Sequence, residues 1–241
     1  MSDTPQIEVT VAAPVDRVWS LLREPDLIRR WHGWEFDGLD EEIRTIFLNG
    51  VVADPDAHTL EMSDGDVFTL HEVPGGTVVR VTRAPEDPDS DWADYYDDIT
   101  EGWWTFLQQL RFAVERHGLA ERRTLFLDGR FTEPQRVVDA AGLGDAAVLP
   151  VGAAYRATAA TGDTLAGTVW ARGPRQLLLT VDGWGDGLLV LAEQPVSPHR
   201  RHGGAMVALT TYGQDDDAYA GLASAWTAWF EKTTERSDPL P

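Results

Sequence analysis

No cysteine occurs in the 241 residues, which excludes a disulfide framework, a thiolate nucleophile, a zinc ribbon and an iron–sulfur cluster. Lysine is almost missing too. Lys232, near the C-terminus, is the one residue on which Schiff-base chemistry would have to rest. Positive charge is scarce: 20 Lys+Arg stand against 40 Asp+Glu, a formal charge of −20 that suits neither nucleic acid nor an anionic membrane surface as partner. No apolar run approaches the roughly 20 residues of a spanning helix. The start, MSDTPQIEVT, has neither the basic nor the apolar part of a leader, so a cytoplasmic protein is expected. Familiar catalytic signatures are absent as well. Seven serines include none in G-x-S-x-G, there is no P-loop or G-x-G-x-x-G, and the six histidines form no HExxH and no i, i+4 pair.

What the chain does have is apolar and aromatic side chains, 43% and 10% of residues, with ten Trp, enough for one large globular domain or two small ones. Ile7, Val9 and Val11 alternate with Glu8 and Thr10, the period of a half-buried strand. Pro14 then opens a helix carrying Val15, Val18, Trp19 and Leu22, and a second short helix with Leu27, Ile28 and Trp31 closes at Gly33. Segments Arg44 to Val52, His58 to Met62, Val67 to Val73 and Thr77 to Thr82 read as strands of an antiparallel meander, separated by turn residues. Ile99, Trp103, Phe106, Leu107, Leu110 and Val114 mark one face of a long helix ended by His117-Gly118.

The second half repeats this order. A strand over Thr124 to Leu127 and a helix over Glu133 to Ala141 precede strands over Thr164 to Ala171, Gln176 to Val181, Gly187 to Glu193 and Met206 to Tyr212. A last helix carries Tyr219, Leu222, Trp226, Trp229 and Phe230. The period is about 120 residues, and the expected domains are 1–120 and 121–241.

Three motifs point to a family: Ala13-Pro14-Val15-Asp16-Arg17-Val18-Trp19, Trp31-His32-Gly33-Trp34 and Ile99-Thr100-Glu101-Gly102-Trp103. Together they resemble the START-like (SRPBCC) superfamily, in its branch similar to the activator of Hsp90 ATPase homologue. Gly162 to Val169 with Leu177 to Thr180, and Ala225-Trp226-Thr227-Ala228-Trp229, resemble its mid-sheet and helix patterns in the second half. The resemblance implies an α+β protein of two helix-grip units, each a curved antiparallel sheet around a long C-terminal helix with an apolar cavity between them. It does not fix a reaction.

Trp31, Trp34, Phe47, Phe68, His71, Trp103, Phe106, Leu107 and Leu110 are the candidate ligand-binding residues of the first half, and Trp170, Trp226 and Phe230 those of the second. Rigid, wide rings suit a flat or hydrophobic guest, while the same stripes also serve as ordinary core. The acidic run Asp87, Asp89, Asp91, Asp94, Asp97, Asp98 fails as a calcium loop, since Trp92 and Asp98 stand where an EF-hand wants Gly and Glu. It reads instead as charge favoured at a helix start. His199 and His202 flank Arg200-Arg201 in one basic loop, suited to a carboxylate or phosphate or simply solvated. His32, Glu35, His71 and Glu101 are the available acids and bases, though sequence does not say which of them meet.

The expectation is a non-enzymatic protein holding a small hydrophobic or aromatic molecule, with no catalytic residue, metal or cofactor assigned. Two alternatives stay open: an enzyme like the polyketide aromatase/cyclases, and a co-chaperone-like module that binds a chaperone-like protein partner. A homodimer through an exposed aromatic face also stays open.

Overall fold

The computed structural model describes residues 4–87, 95–197 and 200–236. The chain divides into two compact units, one ending at Ala120 and the other beginning at Glu121. Each is a helix-grip unit, an antiparallel sheet with a long helix laid against it.

In the first unit, β1 (Gln6–Val11) buries Ile7, Val9 and Val11 and exposes the residues between them, the alternation read from the sequence. Pro14 immediately precedes α1 (Val15–Arg23), which buries Val18, Leu21 and Leu22, and α2 (Pro25–Ile28) follows with Pro25 in its first turn. The next element corrects an expectation. The segment beginning at Arg44, read as a strand, belongs to helix α3 (Leu39–Phe47). Leu39, Ile43 and Phe47, four residues apart, form its buried face, and Asp40, Glu41 and Glu42 occupy its favourable first turn. The β-branched Thr45 and Ile46 suggested a strand, and the helical spacing of the apolar residues outweighs them.

Strands β2 (Val52–Asp54), β3 (Thr59–Glu61), β4 (Val67–Val73) and β5 (Gly76–Thr82) form the meander, and β1 closes it by pairing with β5, giving the order β1-β5-β4-β3-β2. Helix α4 (Tyr96–His117) packs on this sheet, burying Trp103, Leu107 and Leu110, and ends at Gly118 with φ +55°, a left-handed position glycine adopts without a Cβ clash.

The second unit has the same connectivity in a larger sheet. Strands β6 (Arg123–Phe131), β7 (Ala154–Thr158), β8 (Thr164–Arg172), β9 (Gln176–Val181), β10 (Gly187–Gln194), β11 (Gly204–Thr211) and β12 (Thr234–Arg236) pair in the order β12-β6-β11-β10-β9-β8-β7. Its first strand again pairs with the last strand of the meander, here β6 with β11. The expected helix over Glu133 to Ala141 shrinks to α5 (Val137–Ala140), whose first amide is capped by the Glu193 carboxylate rather than by its own chain. Strands β7 and β12 were not legible in the sequence. Helix α6 (Asp216–Thr233) starts with the Asp215 side chain accepting from the Ala218 amide at 2.8 Å and buries Trp226, Trp229 and Phe230. Among the described residues no helix is long and apolar enough to cross a membrane.

Candidate functional site

The site is built on a turn. Gly33 stands at φ +64°, a left-handed conformation that glycine adopts without strain, and this lets the chain fold back tightly between α2 and α3. This turn sends Trp31 and His32 inward. Trp31 is wholly buried and its Nε1–H donates to the Leu21 carbonyl at 2.8 Å, which satisfies its one polar atom. His32 is only 1% exposed, and its Nε2 lies 3.0 Å from Glu42 Oε1 on α3. Aromatic rings enclose the imidazole: Phe106 at 4.5 Å between centroids, Phe47 at 4.9 Å, Trp31 at 5.6 Å and Trp103 at 6.1 Å. Phe68 extends the cluster at 5.1 Å from Trp103, and Trp34 lies 5.1 Å from Phe106 at the half-buried edge.

Of the nine residues proposed from the sequence in this half, eight therefore belong to one region: Trp31, Trp34, Phe47, Phe68, Trp103, Phe106, Leu107 and Leu110. His71 does not join them. It is exposed on β4, beside the buried Leu70, and strand alternation turns it to the opposite face. In the second unit Trp226 and Phe230 lie in the core with Trp184 and Trp229, whereas Trp170 sits at a bulge in β8 between the buried Val169 and Ala171. Glu35 is exposed. Most of the acidic run from Asp89 to Asp94, and His199, lie outside the described residues. Among the described residues no group of three His, Asp or Glu could hold a metal.

Two features escaped the sequence reading. One is Glu42 as the partner of His32, hidden because the helix that presents it starts at Leu39, where no element is read from the sequence, and runs into the segment from Arg44 read as a strand. The other is a buried polar network beneath Trp103. Asp66, fully buried, accepts from Trp103 Nε1 at 2.9 Å, Arg83 Nε at 3.0 Å and the Ala84 amide at 2.8 Å. Arg83 donates onward to Thr100 Oγ1 at 2.9 Å and stacks 4.6 Å over the Tyr96 ring. Burial raises the Tyr96 phenol above its ordinary range, the neighbouring Arg83 partly opposing the shift. With both carboxylate oxygens engaged, this buried ion pair fixes the indole and ties α4 to the ends of β4 and β5.

The aromatic cluster fills the interior of the first unit. Trp31, Phe47 and Phe68 are fully buried and in mutual contact through Phe47, so the expected open cavity is occupied by side chains. The two hollows that stand out lie elsewhere, one of about 430 Å³ between β1 and α4 and one of about 250 Å³ in the second unit. Chemically, the pair of buried His32 and half-exposed Glu42 is the more telling feature. A carboxylate at Nε2 holds the ring proton there and makes Nδ1 the basic nitrogen of the neutral imidazole, an oriented base in an apolar enclosure.

No protein-family model matches the sequence, and no curated protein matches it. Solved structures similar to it include DynU16 from the dynemicin biosynthetic locus, at 15% identity and TM-score 0.32, covering 96% of this chain and 97% of that one. The di-domain ARO/CYC StfQ from the steffimycin biosynthetic pathway is 15% identical at TM-score 0.35, covering 94% and 91%. The di-domain ARO/CYC BexL from the BE-7585A biosynthetic pathway is 14% identical at TM-score 0.33, covering 98% and 99%. Likenesses this loose carry no activity over to the chain.

Proposed function

We propose that the first unit is an acid/base site of the aromatase/cyclase kind, with His32 as the base, Glu42 orienting it and the half-buried edge of the aromatic cluster, not its filled interior, meeting a conjugated, ring-forming substrate. The observation that carries this reading is the contact at 3.0 Å between the half-exposed Glu42 and the imidazole of His32, which aromatic side chains surround. A carboxylate at hydrogen-bond distance satisfies a buried ring nitrogen and at the same time fixes the ring's orientation and tautomer, as an oriented base requires.

The substrate edge is Trp34 and Phe106, both half-buried, with Phe106 between Trp34 and the imidazole. Phe106 is the half-buried ring nearest His32, so access to the imidazole from this edge requires that ring to move. In an intramolecular aldol closure, the imidazole takes a proton from a methylene flanked by two carbonyls, and the resulting carbanion attacks a third carbonyl carbon of the same chain. The new carbon–carbon bond leaves an alkoxide, and the imidazolium returns the proton to it. No redox partner is needed.

The test is conversion of a linear poly-β-ketone thioester, followed by mass spectrometry, in the whole protein and in the variants His32→Asn and Glu42→Gln. Loss of a positioned base removes roughly 10²-fold or more of the rate, with a smaller loss for the orienting carboxylate. If His32→Asn binds the substrate with unchanged affinity and cyclises it no more slowly, the acid/base assignment is wrong. The simple binding reading then stands.

A further inference from the structure

The hollow of about 250 Å³ in the second unit has a lining unlike the rest of the chain. The whole sequence has twice as many acidic as basic residues, 40 against 20. Around this hollow the balance reverses, with Arg136, Arg172 and Arg175 set against Glu193 alone. The three arginines come from separate places: Arg136 precedes α5, Arg172 ends β8 and Arg175 follows in the turn to β9. Their convergence is a product of the fold. Val138 and Leu177 also line the hollow, each showing only an edge of its side chain.

The guanidiniums are not equally committed. Arg172 holds the preceding loop, its Nη1 donating to the Ala147 carbonyl at 2.5 Å and its Nη2 to the Leu149 carbonyl at 2.7 Å. It therefore shapes the wall. Arg136, in contrast, is 63% exposed and its nearest carboxylates, Asp139 at 3.8 Å and Glu193 at 4.0 Å, lie beyond hydrogen-bond reach. An arginine fork in that state matches a carboxylate geometrically and gains from one electrostatically.

We propose that this hollow is a binding site for a small monocarboxylate with a compact apolar body, its carboxylate held by Arg136 with Arg175 adding positive charge beside it, and its body laid against the exposed edges of Val138 and Leu177. The volume is ample for a small carboxylate of the size of benzoate or hexanoate. Burial, first among the influences on Glu193, pushes its carboxyl above the ordinary range, against the pull of the Val137 amide and Arg136, so it carries its charge less readily than an exposed glutamate.

The experiment is isothermal titration of the full chain, at low salt, with benzoate, hexanoate, benzyl alcohol and inorganic phosphate. A ligand of this size binds with a millimolar dissociation constant. Benzoate and hexanoate should bind, and benzyl alcohol and phosphate, each lacking one of the two features, should bind more weakly. Arg136→Gln, at an exposed position that does not threaten folding, and Arg175→Gln should each weaken benzoate roughly tenfold. The variant His32→Asn should leave it unchanged, which separates this site from the first unit's. The proposal is overturned if benzoate gives no binding, if phosphate or benzyl alcohol binds as well as benzoate, or if both arginine variants bind it like the parent protein.

Discussion

Asp66 Oδ2 accepts the indole proton of Trp103 at 2.9 Å, across 37 residues of sequence, while Arg83 balances the charge of the same carboxylate. Buried ion pairs add little when compared with apolar packing, yet breaking one strands a charge in the interior. Asp66→Asn is therefore expected to cost about 3–5 kcal/mol, through the uncompensated Arg83 guanidinium. Trp103→Phe, which keeps the ring but deletes the donor, should cost only about 1–3 kcal/mol. Urea unfolding of the two variants checks the order. An Asp66→Asn protein as stable as the parent would show that the network contributes nothing to the fold.

Phe47 touches Trp31, His32, Phe68 and Trp103, and none of its surface is exposed. Its removal creates a void at the heart of the first unit. Phe47→Ala is expected to lower stability by about 3–5 kcal/mol. The cavity is walled by rings, so benzene should bind there and restore part of the loss, visible as a rise in melting temperature with added benzene. No such rise should occur in the parent protein, whose interior is already full.

Glu193 gives a pH dependence whose sign follows from its raised carboxyl. A carboxylic acid that is harder to ionise in the fold than in the unfolded chain stabilises the fold while it is protonated. That contribution is present below the ordinary value of 4.5 and is lost as pH rises through the higher folded-state value. Glu193→Gln keeps an oxygen to accept the Val137 amide and cannot ionise. Its melting temperature relative to the parent should therefore be higher at neutral pH than at acid pH. The opposite trend across that interval would mean that Arg136 and the Val137 amide outweigh burial.

Much of this architecture could be read one residue at a time. Alternation in Ile7, Val9 and Val11 gave β1, and the spacing of Trp103, Leu107 and Leu110 gave the face that α4 buries. These signals are local because they depend on the period of a single element against one apolar layer. The aromatic half of the candidate site was legible for the same reason. His71 was not, because its place depends on which face of β4 meets the core, and its chemistry made it attractive regardless of face. Strands β7 and β12 are recognisable chiefly through their partners β8 and β6, pairings that a linear reading does not contain.

By itself, then, the amino-acid order determined two repeats of meander and helix, an aromatic interior and the exclusion of every cysteine-dependent chemistry. Tertiary structure alone decided that Glu42 reaches His32, that Asp66 holds Trp103 and that three arginines converge on one hollow. The physical reason is range. Hydrophobic periodicity repeats within a few residues, whereas a hydrogen bond between side chains is fixed by distances of a few ångströms between segments that the sequence keeps apart.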